Sequence, residues 1–136
     1  MTDDLEGSLS DGTWFLDGSA GTTGSARDRT RDFLATAPEP VPERACQNAL
    51  LVVSELVGNA VRHAPGPCTL ALDLTRRALT IAVTDTSHSS PRPRAPDLVH
   101  GGGGFGWNLL ARLTQSLDVR THANDGKTVT ARLAMV

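Results

Sequence analysis

The hydrophobic pattern along the chain predicts one long helix and several strands. Between residues 43 and 64, apolar residues fill an arc from about 100° to 240° on a helical wheel with Glu55 at zero. Four other stretches alternate between apolar and polar residues, which is the period of a strand with one buried face. The arc comprises Ala49, Leu50, Val53, Leu56, Val57, Ala60, Val61 and Ala64; the alternating stretches are residues 69–75, 79–84, 117–122 and 128–135.

Shorter signals predict the remaining elements. The apolar run Trp14-Phe15-Leu16 is typical of a short edge strand. Ser25 reads as the N-cap of a helix that ends before Pro38, and the proline-rich segment 38–42 excludes helix. The glycine run 101–106 then opens a helix predicted over 107–114.

The resulting order is β-α-α-β-β-loop-α-β-β, which predicts an α+β fold. Short links between consecutive strands favour antiparallel hairpins, so the helices segregate to one side. We therefore expect a two-layer α/β sandwich with a mixed, mostly antiparallel sheet covered on one face by about three helices. Residues 1–12 are acidic and rich in Gly and Ser and predict a flexible N-terminus, with one domain over residues 13–136.

Composition excludes several classes of function. The chain has 136 residues, 39% of them hydrophobic and 21% charged, which suits a single folded core. A formal net charge of −2 offers no basic surface, so we expect no direct contact with nucleic acid. No apolar run approaches the roughly 18–20 residues of a membrane helix, and we expect a cytoplasmic protein without membrane contact. Two cysteines and four histidines form no metal-binding pattern.

Two polar residues of the long helix have chemical potential. Glu55 and Asn59 lie one turn apart on its narrow polar stripe. A carboxylate takes a proton or orients water, and an amide oxygen ligates a hard cation. Spacing alone also fits a solvated stripe on an amphipathic helix.

Three further features are candidate functional positions but also have simpler readings. Asp85 ends an apolar strand, where a carboxylate accepts a hydrogen bond from an exocyclic amine such as that of adenine; it also suits the start of a turn. The glycine run before a helix suits a phosphate chain, or a hinge without a ligand. Lys127 falls in a predicted hairpin turn, where lysines are usually solvated.

Taken in order, four segments resemble the motifs of the GHKL (Bergerat-fold) ATP-binding domain, which histidine kinases share with gyrase B. The N-box resemblance carries Glu55 and Asn59 at its two diagnostic positions, and the similarity covers about residues 13–135. The four segments are Ser54-Glu-Leu-Val-Gly-Asn-Ala-Val-Arg-His-Ala64, Val83-Thr-Asp-Thr-Ser-His-Ser-Ser-Pro91, Gly104-Phe-Gly-Trp-Asn-Leu-Leu110 and Gly126-Lys-Thr-Val-Thr-Ala-Arg-Leu133.

The resemblance implies ATP and Mg²⁺ as cofactors. By this resemblance Asn59 holds the Mg²⁺ that bridges the ATP phosphates. Glu55 is the general base that activates an acceptor hydroxyl or water, and Asp85 takes the adenine amine.

The same resemblance assigns four more positions to nucleotide binding. Gly104 and Gly106 let the lid backbone approach the phosphates, and Thr128 lies near the adenine. The chain departs from the family in its second motif, where Ser87 and Ser89 replace the two usual glycines. The small Ser87 side chain is expected to fit beneath adenine, but the change puts nucleotide affinity in doubt.

Within the superfamily, the chain looks most like stand-alone anti-sigma-factor serine/threonine kinases of the actinobacterial type. That likeness implies two partners, a sigma factor and an anti-sigma-factor antagonist protein, and leaves a homodimer open. One alternative is a module of the same fold that regulates either partner by binding alone. A plain ATPase is the other alternative.

Overall fold

A computed structural model describes residues 7–64, 66–85, 104–123 and 126–135 of the chain. Within them, eight elements follow the predicted order, so the predicted succession of helices and strands is confirmed. The elements are β1 (Ser10–Leu16), α1 (Thr22–Ala35), α2 (Glu43–His63), β2 (Cys68–Leu74), β3 (Ala78–Asp85), α3 (Gly104–Leu113), β4 (Ser116–Thr121) and β5 (Lys127–Ala134).

The five strands form one sheet in the order β1-β2-β3-β5-β4. All four pairings in the described part of the chain are antiparallel, whereas the sequence predicted a mixed, mostly antiparallel sheet. The helix α2 contacts β2, β3 and β5, and α1 packs on α2, so the predicted two-layer α+β sandwich is confirmed. Its interior is built around large side chains that are almost fully buried, among them Leu70, Leu72, Leu79, Ile81, Leu110 and Leu133.

The long helix α2 owes its position to its apolar face. Seven of its residues are buried, and they include Val52, which lies outside the arc predicted from the sequence. The helix α1 packs on α2, and Val52 belongs to the buried core cluster. Pro42 precedes the first residue of α2, as expected for a proline that stops the preceding segment from being helical. In the described ranges no helix has a stretch long and apolar enough to cross a lipid bilayer.

The start of α1 differs from the sequence prediction. The helix begins at Thr22 with Gly21 at the N-cap, so Ser25 lies inside the first turn and is not the cap. The carboxylate of Asp17 accepts hydrogen bonds from the Ser19 N–H (2.9 Å) and the Thr22 hydroxyl (3.3 Å), and these bonds fix the loop that enters α1. Hydrogen bonds from Ser19 lower the pKa of the Asp17 carboxyl, and the bond from the Ser19 backbone has the largest effect.

Other boundaries also moved from their predicted places. The helix α3 starts at Gly104, inside the glycine run, and not at residue 107. The strand β1 starts at Ser10, three residues before the expected domain boundary of 13. It forms the edge of the sheet as predicted, and its Trp14 ring meets Phe33 of α1 edge to face at 5.9 Å. The domain boundary itself stays a prediction.

Candidate functional site

The carboxylate of Asp85 is buried at the end of β3. Its exposed fraction is 3%, and among the described residues no other charged side chain is buried. Opposite Asp85 in the sheet lies Cys68 of β2, whose thiol pKa is raised by burial and further by the Asp85 charge. The thiol therefore stays neutral and packs as a small apolar group beneath the carboxylate.

Both oxygens of Asp85 bind Lys127, the first residue of β5. The Lys127 backbone N–H donates to Oδ1 at 3.1 Å, and the ammonium donates to Oδ2 at 3.0 Å. The lysine side chain is 23% exposed, so the ion pair is largely withdrawn from solvent. A buried carboxylate requires such compensation, because an unpaired charge is costly away from water.

A narrow cleft lies above this pair, between α2, α3 and the sheet. Most of its lining is apolar, which suits the faces of a planar base, and its charged and amide groups come from Asn59, Asp85 and Lys127. Its internal volume is about 10 Å³, close to the space needed by one water molecule. A purine therefore needs the lining side chains to move apart. The lining residues are Leu56, Asn59, Ala60, Val83, Asp85, Trp107, Lys127 and Val129.

Asn59 lies on the α2 side of this cleft, as the sequence predicted. Its amide oxygen accepts a hydrogen bond from the Arg62 guanidinium, one turn later on the same helix. A cation bound by that oxygen replaces or shares this bond. Glu55 lies one turn before Asn59 on the same stripe and is half-buried, but it is not among the residues that line the cleft.

Thr128 does not lie in the cleft. Successive side chains of a strand point to opposite faces of the sheet, and Lys127 and Val129 are the β5 residues that face the helices. The Thr128 hydroxyl instead bonds the Thr84 hydroxyl at 2.8 Å and His122 Nε2 at 2.7 Å on the other face. The Thr128 side chain thus lies on the face of the sheet away from the cleft residues, and its approach to the adenine stays a prediction.

The remaining predicted residues divide into two groups. Gly104 and Gly106 lie in the first turn of α3, directly before the cleft residue Trp107, where backbone N–H groups lack helical partners. Ser87 lies outside the described residues. In the part of the chain that the structure describes, no group of three His, Cys, Asp or Glu side chains is arranged to hold a metal ion. A cation site built on Asn59 therefore depends on oxygens of a bound ligand.

Sequence reasoning assigned no firm role to Lys127, which the structure brings into the centre of the site. A lysine after Asp-Gly in a hairpin resembles a solvated turn residue. The spacing of Lys127 was the signal that it faces the helices. It lies two residues before Val129 and four before Ala131, and residues two apart in a strand share a face.

The comparisons with known proteins identify one family. A family model described as a histidine kinase-like ATPase domain matches residues 19–133, which is most of the chain. The matched range includes α2, Asp85, the start of α3 and Lys127. No curated protein matches the chain.

Proposed function

The chain belongs to the family of histidine kinase-like ATPase domains, and from this premise we propose a protein kinase function. The proposed activity is ATP- and Mg²⁺-dependent transfer of phosphate to a serine of an anti-sigma-factor antagonist. The same protein binds a sigma factor, and the phosphorylation state of the antagonist decides which partner it holds. The likeness of the Ser54–Ala64 segment to stand-alone anti-sigma-factor kinases is what favours this subtype.

The observation that carries ATP binding is the buried carboxylate of Asp85 at the polar end of an apolar cleft. A carboxylate there accepts a hydrogen bond from the adenine amine, and Leu56, Ala60 and Val83 provide apolar walls for the ring. Asn59 lies in the same cleft with a neutral oxygen ligand, so the lining fits both a base and a metal-bound phosphate chain. Mg²⁺ held by Asn59 supplies charge neutralisation on the phosphates when it is bound.

In the proposed transfer, the serine hydroxyl oxygen attacks the terminal phosphorus of ATP. A new P–O bond forms to the serine, the P–O bond to ADP breaks, and the hydroxyl proton passes to the Glu55 carboxylate. Glu55 and Asn59 are separated by one helical turn, so α2 fixes the base relative to the metal ligand. Most of the catalysis comes from this positioning, because phosphoryl transfer needs little covalent chemistry from the protein.

A second function, regulation by binding without catalysis, is favoured by the small volume of the cleft. About 10 Å³ is far below what a nucleotide fills, and both polar ends of the cleft are already bonded within the chain. Ser87 and Ser89, which replace two glycines of the family motif, also favour this second function. In this alternative, surface contacts alone sequester the sigma factor or its antagonist.

Titration calorimetry with ATP and Mg²⁺ separates the two functions. We expect the unaltered protein to bind ATP and Asp85→Asn to bind it at least about tenfold more weakly, because the charged acceptor for the adenine amine is lost. Asp73→Asn, an exposed carboxylate on β2, is the matched control and should bind normally. Equal ATP affinity in the Asp85 variant would exclude this base site, and no binding up to millimolar ATP would favour the binding module.

Asn59→Ala tests the metal ligand. We expect Mg²⁺ to strengthen ATP binding by the unaltered protein but to have little effect on the variant, since the amide oxygen that holds the ion is gone. The measurement is the ratio of the ATP dissociation constants with and without Mg²⁺. Asn48→Ala, three turns earlier on the same polar stripe of α2, should keep the normal ratio. If Asn59→Ala also keeps it, Asn59 is not the metal ligand.

Transfer itself is tested with radiolabelled ATP and purified small antagonist proteins. Label should appear on one antagonist and disappear when its acceptor serine is replaced by alanine. ATP binding without label on any antagonist would contradict the kinase function while leaving the ATP site intact.

A further inference from the structure

We propose that Lys127 is a specificity-determining residue that donates a hydrogen bond to the N1 atom of adenine while Asp85 accepts one from the neighbouring amine. The inference rests on the proposed binding of ATP in this cleft and adds a second recognition contact to it. It is carried by the geometry of the ion pair between Lys127 and Asp85, which lies among the residues that line the cleft.

The pair retains unused hydrogen-bonding capacity. A carboxylate has about four lone-pair sites, and in the described part of the chain Lys127 occupies one on each oxygen of Asp85. An ammonium has three protons, and the described contacts of Lys127 direct one of them to Asp85 Oδ2. The cleft therefore presents a charged acceptor and a charged donor side by side, 3.0 Å apart.

The ion pair is expected to survive ligand binding. Asp85 is 3% exposed, and an adenine amine is neutral, so it does not replace the positive charge that the buried carboxylate requires. The backbone N–H of Lys127 is also bonded to Asp85, which keeps the start of β5 beside the carboxylate even if the side chain turns. A ligand in the cleft thus meets Asp85 and Lys127 together.

Adenine has the complementary pattern on one edge. Its exocyclic amine is a donor, and the adjacent ring nitrogen N1 is an acceptor; proteins commonly recognise a base through this edge. Asp85 matches the amine and the Lys127 ammonium matches N1. Because both partners in the protein are charged, each bond is stronger than one between neutral groups.

The first test compares three nucleotides on the unaltered protein by calorimetry with Mg²⁺. We expect 1-deaza-ATP, which lacks only the N1 acceptor, to bind about tenfold more weakly than ATP. As the matched ligand control, 7-deaza-ATP keeps the recognised edge and should bind within about twofold of ATP. Equal affinity for ATP and 1-deaza-ATP overturns the inference, and this test needs no variant to fold.

The second test is Lys127→Met, which keeps the length of the side chain and removes the ammonium. ATP should bind about tenfold more weakly, and the preference for ATP over 1-deaza-ATP should disappear. Arg132→Met, an exposed cation on the same strand, should preserve both affinity and preference. Tighter ATP binding by the Lys127 variant would show that the ammonium obstructs the base, which also overturns the inference.

A spectroscopic measurement gives a third readout. Lys127 is the only lysine of the chain, so lysine labelled with ¹⁵N gives a single side-chain amine signal in NMR spectra. Added ATP should shift this signal, and 1-deaza-ATP should shift it less. If the unaltered protein binds no ATP, the proposed function fails and this inference with it; if ATP binds without any dependence on N1, only this inference fails.

Discussion

Glu55→Gln is expected to lower the rate of ATP turnover by between about 10²-fold and 10⁴-fold, the usual contribution of a general base. The amide keeps the size of the side chain but does not accept the proton of the attacking water or serine hydroxyl. ATP binding should change little, because Glu55 is not among the residues that line the cleft. The rate is measured as release of phosphate from labelled ATP, with water as the acceptor, and affinity by calorimetry on the same samples.

A matched control lies on the same helix. Glu43→Gln removes an exposed carboxylate at the first turn of α2 and should turn over ATP at the normal rate. A normal rate in the Glu55 variant would refute its role as the base. A parallel loss of rate and ATP affinity would assign Glu55 to nucleotide binding.

Periodicity predicted most of the fold because each element buries one face. Apolar residues recur with a period of 3.6 residues in α2 and of two residues in the strands. These periods can be recognised even when the ends of an element are uncertain by one or two residues. Thus β2 was predicted over 69–75 and is observed at Cys68–Leu74. The ends of elements are harder to predict, since the start of a helix depends on local hydrogen bonds such as those made by Asp17. Ser25 is a residue type that often caps helices, but α1 begins three residues before it.

The candidate site shows why one-residue accuracy matters in a strand. The resemblance assigned Thr128 to the neighbourhood of the adenine, but among the described residues it is the neighbouring Lys127 that lines the cleft. Shifting a strand by one residue exchanges its two faces, so an offset too small to disturb the fold changes which side chain faces the cleft. The alternation of β5 indicates which residues share a face, and its pairing with β3 fixes the register, with Thr128 opposite Thr84.

The two faces of the sheet nonetheless contribute to the same site. Behind the cleft, hydroxyl and imidazole bonds join Thr84 of β3, Thr128 of β5 and His122 beside β4. These bonds connect three strands at the level of Asp85 and Lys127, and so limit how far β3 and β5 separate there. The Thr128 hydroxyl is thus bonded on the face of the sheet opposite the ion pair.

Gly126 lies against Asp85, where a side chain has no room. Replacement of Gly126 by alanine is therefore expected to be strongly destabilising. Gly126 has a φ of +26°, and a Cβ at this position would overlap both the Asp85 carboxylate and its carbonyl. Those atoms belong to backbone and to a buried ion pair, so they have little freedom to move. We expect Gly126→Ala to lower the free energy of unfolding by about 3 kcal/mol, measured by urea denaturation.

Gly24→Ala is the opposing control for this prediction. Gly24 lies in α1, and a Cβ there meets nothing within 4 Å, so alanine should raise the free energy of unfolding by about 0.5 kcal/mol. The two substitutions add the same methyl group, and only the one beside Asp85 displaces the carboxylate from Lys127. If Gly126→Ala unfolds at the same urea concentration as the unaltered protein, β5 does not approach β3 as closely as the site requires.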